Sequence, residues 1–433
     1  MKRFLLKTTG MILMIVGIIS IVPGVGATSL SPVKPEQVGL SSERLDRLDQ
    51  FFKTEIDQGK IPGVVALIAR KGQIAYFKSF GFRDKASGAP MSNDAIFRIY
   101  SMTKPFTSVA AMMLVEEGKI VLTDPISKFL PQLGKLEVSV PKFDPTTGMV
   151  TYSTTPAVRE ITVQDLLRHT SGFTYGTQTT NVYVKELYDK VGVDATDITN
   201  ADLIERLAKV PLVHQPGTAF EYSRSTDVLG RLIEVVANTT LSKFFKERIF
   251  DPLKMEDSGF YVPEEKLGRL AQPFPTDPAT GKPIKLLDVT KPPTYEAGGQ
   301  GAVSTASDYA RFCQMLLNGG HLDGVRLLSR TTVNLMTSDH LGKILEAAPM
   351  PSQLLLGVPG YTFGLGFAIR LEPGIAGVPG SAGEYTWGGF AGTYFWVDPK
   401  EELIGILMLQ TPGPARVQYR KLFRQLVYQA IVD

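Results

Sequence analysis

The chain has 433 residues, 43% of them hydrophobic and 21% charged, the balance of an ordinary folded protein. Its 46 basic and 43 acidic residues leave a net charge of +3, which gives no basis for nucleic acid or an anionic membrane as partner. A single cysteine, Cys313, excludes an internal disulfide and a thiolate metal cluster.

The amino terminus reads as a leader. Lys2, Arg3 and Lys7 precede the apolar stretch 11–22, then Pro23-Gly24 and the small residues Val25-Gly26-Ala27. That is the layout of a secretory signal peptide, assigned to residues 1–27, with export to a periplasm or the medium expected. The apolar stretch is short against the ~20 residues of a membrane span. The rest, 28–433, exceeds the roughly 250–300 residues at which a single core stops growing. Two packed units, or one domain with a large insertion, are expected.

Ser41 precedes an amphipathic run carried by Leu45, Leu48, Phe51 and Phe52, a helix with a serine N-cap. Two apolar stretches, 63–69 and 74–82, flank Arg70-Lys71-Gly72 and read as a β-hairpin. A helical pattern starts at Ser101, runs to Glu117 and ends at Gly118, a residue suited to a helix C-terminus. From about 122 to 317 helical periodicity prevails, and 201–208, 225–237 and 307–317 all show apolar spacings of three and four. Cys313 falls in the last of these beside Phe312, Met315 and Leu316, as a small buried hydrophobe. β-type segments return at 362–370, 385–397 and 402–409, and a helical run, 415–431, closes the chain.

Strands at both ends with helices between imply an α/β chain of the α+β type. An antiparallel sheet is built from both termini and flanked by helices, with a mainly helical inserted domain. Residues 28–100 and 330–433 form the α/β part and 101–329 the largely helical part. The helix beginning at Ser101 falls at their junction, where ligand sites gather.

Three local features carry possible chemistry. In Ser101-Met102-Thr103-Lys104 the hydroxyl and the ammonium are three residues apart and share a helix face. A serine needs a base to become a nucleophile, and lysine serves as one only if its pKa falls from ~10.4. A solvated helix start is the plain alternative. In Glu221-Tyr222-Ser223-Arg224 a loop tyrosine is either a general base supported by neighbouring cations or a packed ring with a hydrogen-bonded hydroxyl. In Trp387-Gly388-Gly389-Phe390 the paired glycines mark either a strand edge open to a ligand or a tight bend.

Taken in order, these elements resemble the serine β-lactamase and penicillin-binding protein superfamily, whose Ser-x-x-Lys motif is shared. The likeness extends to His169-Thr170-Ser171-Gly172, Tyr222-Ser223 with Asp227-Val228-Leu229-Gly230, Gly298-Gly299-Gln300-Gly301 and Ser304-Thr305-Ala306-Ser307-Asp308. It points to the class C-like branch, most similar to the family VIII carboxylesterases, and covers the chain from about Pro35 onward. The resemblance implies a serine hydrolase in which Ser101 is acylated and Tyr222 with Lys104 forms the base system. The N–H groups of Ser101 and Phe390 would form the oxyanion hole, beside Trp387, Gly388 and Gly389. It implies a small-molecule ester or amide as substrate, and neither metal nor cofactor. No His-Glu-x-x-His and no Gly-x-Ser-x-Gly occurs in the sequence.

Two departures bear on substrate. Trp387 stands where β-lactam-acting relatives carry Lys or His, so the cation for a substrate carboxylate is missing and a neutral ester is favoured. Arg224 stands where they often carry Asn, and either keeps the Tyr222 phenol acidic or points to solvent. β-Lactamase, D-amino-acid peptidase and transacylase remain the alternatives with the same acyl-enzyme chemistry. His169, at a helix end before a turn, reads as structural, because helix C-termini favour an imidazolium.

Overall fold

The computed structural model describes residues 30–347 and 355–433; the leader expected over 1–27 lies outside them. Gly63–Arg70 and Gln73–Asp84 form the expected antiparallel hairpin. It turns on Lys71 and Gly72, both at positive φ (51° and 75°), the geometry that matches strand twist in a two-residue turn.

A nine-stranded sheet runs in the order Ser31–Pro32, Gln73–Asp84, Gly63–Arg70, Leu403–Gln410, Gly392–Asp398, Tyr385–Gly388, Ala368–Arg370, Tyr361–Phe363, with Ala89–Pro90 on Gln73–Asp84. Its only parallel pairing among the described residues is the short Ser31–Pro32 strand. The two ends of the chain meet at its centre, where Leu67 lies opposite Ile406. Both central strands are buried along their whole length, which is why they read as continuous apolar runs rather than alternating ones. The expected stretch 385–397 is two strands, because it reverses through the tight turn 389–392, where Gly392 takes φ 106°.

Consecutive strand residues face opposite sides, and Gly392–Asp398 shows what each side meets. The Phe395 ring lies 5.0 Å from Tyr309 of helix Ala306–Leu317, whereas Trp396 lies 5.3 Å from Phe423 of helix Ala415–Tyr428. Helix Ser42–Asp57, capped by Ser41, joins the second face through Phe52 against Phe423 at 6.3 Å. Helix Ala306–Leu317 therefore belongs with the sheet, although its position before residue 329 placed it in the helical part. Its apolar stripe defined a buried face but not which surface would cover it. Cys313 is fully buried there.

The helical part is also less regular than the periodicity implied. It contains a hairpin, Glu137–Phe143 with Val150–Pro156. Most of 251–302 is turn and extended chain broken by one 3-10 helix, Glu264–Arg269. Helices Asn200–Leu207 and Ser225–Ala237 occupy the expected runs. Among the described residues, no helix is long and apolar enough to cross a membrane.

At the junction, helix Lys104–Glu116 is buried on every side from Lys104 to Leu114, and its sequence accordingly carries no charge between Pro105 and Leu114. A 3-10 turn, Tyr100–Thr103, leads into it. Ser101 thus lies one turn before the α-helix rather than inside it, and Gly118 ends the run at φ 67°.

Candidate active site

Tyr100 adopts φ 45°, a left-handed conformation that costs a bulky residue energy and gathers at functional sites. The Tyr100 ring packs 5.5 Å from Phe390, and its hydroxyl accepts the Leu287 N–H at 2.9 Å. Its carbonyl accepts the Thr103 hydroxyl at 2.6 Å. This bend lifts Ser101 to the wall of a cleft of about 800 Å³, which opens beside it into a narrow recess of about 90 Å³. Tyr222, Gln178 and Phe390 line both spaces with Ser101. The recess is completed by Trp387, Gly388, Gly389, Leu355, Arg416 and Arg420. All the residues singled out from the three motifs therefore converge on one place, apart from Lys104, which lies behind its wall.

Lys104 is 1% exposed. Its Nζ donates to the Gly299 carbonyl at 2.7 Å and to the Tyr175 hydroxyl at 3.1 Å, and sits 4.5 Å above the Tyr222 ring. Burial by itself would pull the ammonium down, but the Tyr175 and Tyr222 phenols and the Asp227 carboxylate outweigh it and hold the pKa above its ordinary value. A lowered pKa, the condition for a lysine to serve as the base by itself, is therefore not what these neighbours produce at Lys104. Buried acceptors on every side of a cation decide the matter, and sequence spacing could not reveal them.

Tyr222 lies in the loop before helix Ser225–Ala237. Its ring is held among His169 at 4.9 Å, Trp387 at 5.3 Å and Tyr175 at 5.5 Å. The Trp387 indole, 1% exposed, donates its N–H to the Tyr222 oxygen at 3.3 Å. Trp387 is thus more than an apolar wall, because it presents a neutral donor where a cation was expected in related chains.

Arg224 corrects the reading that it points to solvent. It is 5% exposed, paired with Asp194 and, at 3.6 Å, with Asp227, and its guanidinium lies 5.0 Å from the Tyr175 ring. Burial opposes its charge, yet Tyr295, Asp227, Tyr175 and Asp194 raise its pKa above the usual range. Its ring contact is with Tyr175, not Tyr222.

His169 is buried, with Nδ1 3.2 Å from the Ser223 hydroxyl and Nε2 3.4 Å from that of Thr226. Burial, aided by the nearby Lys104 ammonium, pulls its pKa well below the usual value. It is a neutral support behind Tyr222, and the imidazolium expected at a helix end is not what the site holds.

The glycine-rich segment resolves its two readings together, as a tight turn at the edge of the cleft. Gly389 donates its N–H to the Thr393 carbonyl at 2.8 Å, and its own carbonyl accepts from Gly392 at 3.1 Å. The Gly389 N–H is therefore occupied within the hairpin. The Phe390 side chain is 50% exposed at the cleft mouth.

Sequence reasoning missed Tyr175, whose hydroxyl meets Lys104, and gave Asp227 no role. Asp227 accepts the Gly299 N–H at 3.0 Å and so fixes the peptide whose carbonyl receives Lys104. Gly299 leaves room for this, since a Cβ there would stand 2.9 Å from the Asp227 carboxylate. Asp227 was signalled only by the Asp227-Val228-Leu229-Gly230 motif, and Tyr175 lay in none.

The Beta-lactamase family model matches residues 48–429. The chain belongs to that family. It is an enzyme, a serine hydrolase, of the beta-lactamase fold. Among its relatives, an uncharacterized protein of Mycobacterium tuberculosis is 36% identical over 376 residues, spanning 84% of this chain and 90% of the relative. Esterase EstB of Burkholderia gladioli is 30% identical over 408 residues, spanning 86% and 93% respectively. Among solved structures, EstCE1, described as a hydrolase with promiscuous acyltransferase activity, superposes with a TM-score of 0.72 at 26% identity. It covers 89% of this chain and 99% of that one. These relatives bear out the placement near the esterases of the superfamily.

Proposed function

We propose that this enzyme hydrolyses small neutral carboxylic esters through an acyl-enzyme on Ser101. The carrying observation is Tyr222, which lines the Ser101 cleft, has a buried ammonium over its ring and accepts the Trp387 N–H. Ser101 Oγ attacks the ester carbonyl while its proton passes to Tyr222 Oη. Lys104 and Trp387, both buried, stabilise the negative charge that Tyr222 bears as base. The N–H groups of Ser101 and Phe390 receive the oxyanion. The tetrahedral intermediate then expels the alkoxide, which takes the proton from Tyr222. A water molecule repeats the sequence on the acyl-enzyme, releasing the acid and restoring Ser101.

The preference for neutral esters rests on Trp387, which brings a ring and a neutral donor to the recess beside Ser101; of the two arginines that also line it, Arg420 is engaged by the Gly389, Thr393 and Leu355 carbonyls and Arg416 lies over the Phe390 ring. The relatives named esterase support the same reading. A second reading, acyl transfer to an alcohol, is favoured by the volume of the cleft, which leaves room for an acceptor in place of water. Export through the amino-terminal leader belongs to the proposal and is tested by fractionation of the expressing cells.

A fluorophosphonate probe is expected to label the protein once, at Ser101, and to fail with Ser101→Ala. p-Nitrophenyl butyrate is expected to turn over far faster than nitrocefin. Labelling elsewhere defeats the nucleophile assignment, and rapid nitrocefin cleavage defeats the substrate assignment.

A further inference from the structure

Arg420, in the carboxyl-terminal helix, is 1% exposed and lies against the recess that holds Ser101. Its hydrogen-bond partners are backbone carbonyls, and its guanidinium lies 5.7 Å from the Tyr394 ring. Nη2 donates to Gly389 at 2.5 Å and to Thr393 at 3.3 Å, and Nη1 donates to Leu355 at 3.2 Å. No carboxylate of a described residue pairs with it, and its Nε has no partner. A buried cation without a counter-charge is unfavourable for stability alone. Its retention needs another account.

The Gly389 carbonyl and the Phe390 N–H belong to one peptide unit. The described chain has no cis peptide bonds, and in a trans unit C=O and N–H point in opposite directions. With the carbonyl fixed on Arg420, the N–H is directed away from it. A charge-assisted hydrogen bond to the oxygen also draws electron density from the nitrogen and makes its N–H a stronger donor. The first glycine of Trp387-Gly388-Gly389 makes the clamp possible, because a Cβ on Gly388 would lie 2.9 Å from the Arg420 guanidinium carbon.

We infer that Arg420 is a positioning residue that clamps and polarises the Gly389–Phe390 peptide, so that the Phe390 N–H serves as an oxyanion donor for the reaction at Ser101. The inference rests on the proposed role of Ser101 and adds to it the origin of the oxyanion hole. Burial, with Arg416 adding like-charge repulsion, pulls the Arg420 pKa down to about 9.

The test compares a p-nitrophenyl ester with its thionoester, in which sulfur, a weak acceptor, replaces the carbonyl oxygen. Rates are expressed per Ser101 titrated with fluorophosphonate, so loss of folded protein does not enter. Loss of a single oxyanion donor lowers kcat by about 10²–10³-fold, and loosening one is expected to lower it by roughly 10–100-fold. Arg420→Gln is expected to show that fall on the oxo ester, with KM nearly unchanged and the oxo-over-thiono preference reduced by a similar factor. Arg420→Lys, which keeps the cation, is expected to recover part of the preference. Gly388→Ala displaces the guanidinium from the opposite side and is expected to give the same signature, so it decides the matter if Arg420→Gln does not fold. Titratable variants that keep the wild-type oxo-over-thiono preference overturn the proposal, however slow they are. A wild-type chain not labelled at Ser101 overturns the nucleophile reading, and this proposal with it.

Discussion

Tyr222→Phe separates the two candidate bases. The substitution removes one oxygen and leaves the ring among His169, Tyr175 and Trp387. The fold loses the hydrogen bond from Trp387, about 1 kcal/mol. Catalysis is expected to lose far more, because a positioned general base contributes about 10²–10⁴-fold, or roughly 3–5 kcal/mol. Lys104 cannot take over. Its pKa is held above the ordinary lysine value, so less than about 0.4% of it is neutral at pH 8. The assay is the second-order rate of fluorophosphonate labelling, with p-nitrophenyl butyrate turnover beside it, from pH 7 to 10. The variant is expected to label at under about one-hundredth of the wild-type rate across the range. Retention of more than a tenth of the rate, or a climb of about tenfold per pH unit as expected of an amine base being deprotonated, refutes Tyr222 as base and restores Lys104.

Trp387→Phe keeps an aromatic ring against Phe363, now 5.2 Å away, but removes the donor to Tyr222. A fall of about 3–10-fold in kcat/KM is expected, measured with melting temperature, whereas unchanged kinetics would make Trp387 a wall only. Tyr175→Phe deprives the Lys104 ammonium of one of its two hydrogen-bond acceptors and is expected to lower the labelling rate of Ser101 by about tenfold, read against an unaltered far-UV spectrum. Asp165→Asn probes the scaffold behind the site. This buried carboxylate caps helix Val163–Leu167 through Thr162 and meets Arg159, Arg168 and Thr170. Burial opposes its charge, but those hydrogen bonds hold its pKa down to about 2. A lowered folded-state pKa contributes stability above the unfolded value near ~3.9 that disappears as pH falls through the folded one. Urea unfolding should therefore show wild type ahead of the variant by about 2 kcal/mol at pH 7, with the gap narrowing from pH 4 towards pH 2.

Chemistry that depends on adjacent residues was open to reading from the chain itself. Ser101 and Lys104 are three apart, a spacing that marked the motif in the sequence itself. Gly388 and Gly389 announced a place with no room for side chains. The apolar stretch 63–69 announced a strand, while the covering of both its faces came from the fold. What the chain could not disclose was the company each residue keeps across long separations. The Lys104 ammonium is favoured over the amine because Tyr175, Asp227 and Gly299 arrive from remote segments. Arg224 is drawn inside by Asp194, thirty residues away in sequence.

By itself, then, the sequence determined the periodicities, the order of the motifs and hence the family, because those depend on spacing along the backbone. Tertiary structure alone decided which groups hold charge and which hydrogen bonds they make. Protonation and donor direction follow from burial and from neighbours distant in the chain, and Arg420 behind the Gly389 carbonyl is the clearest case.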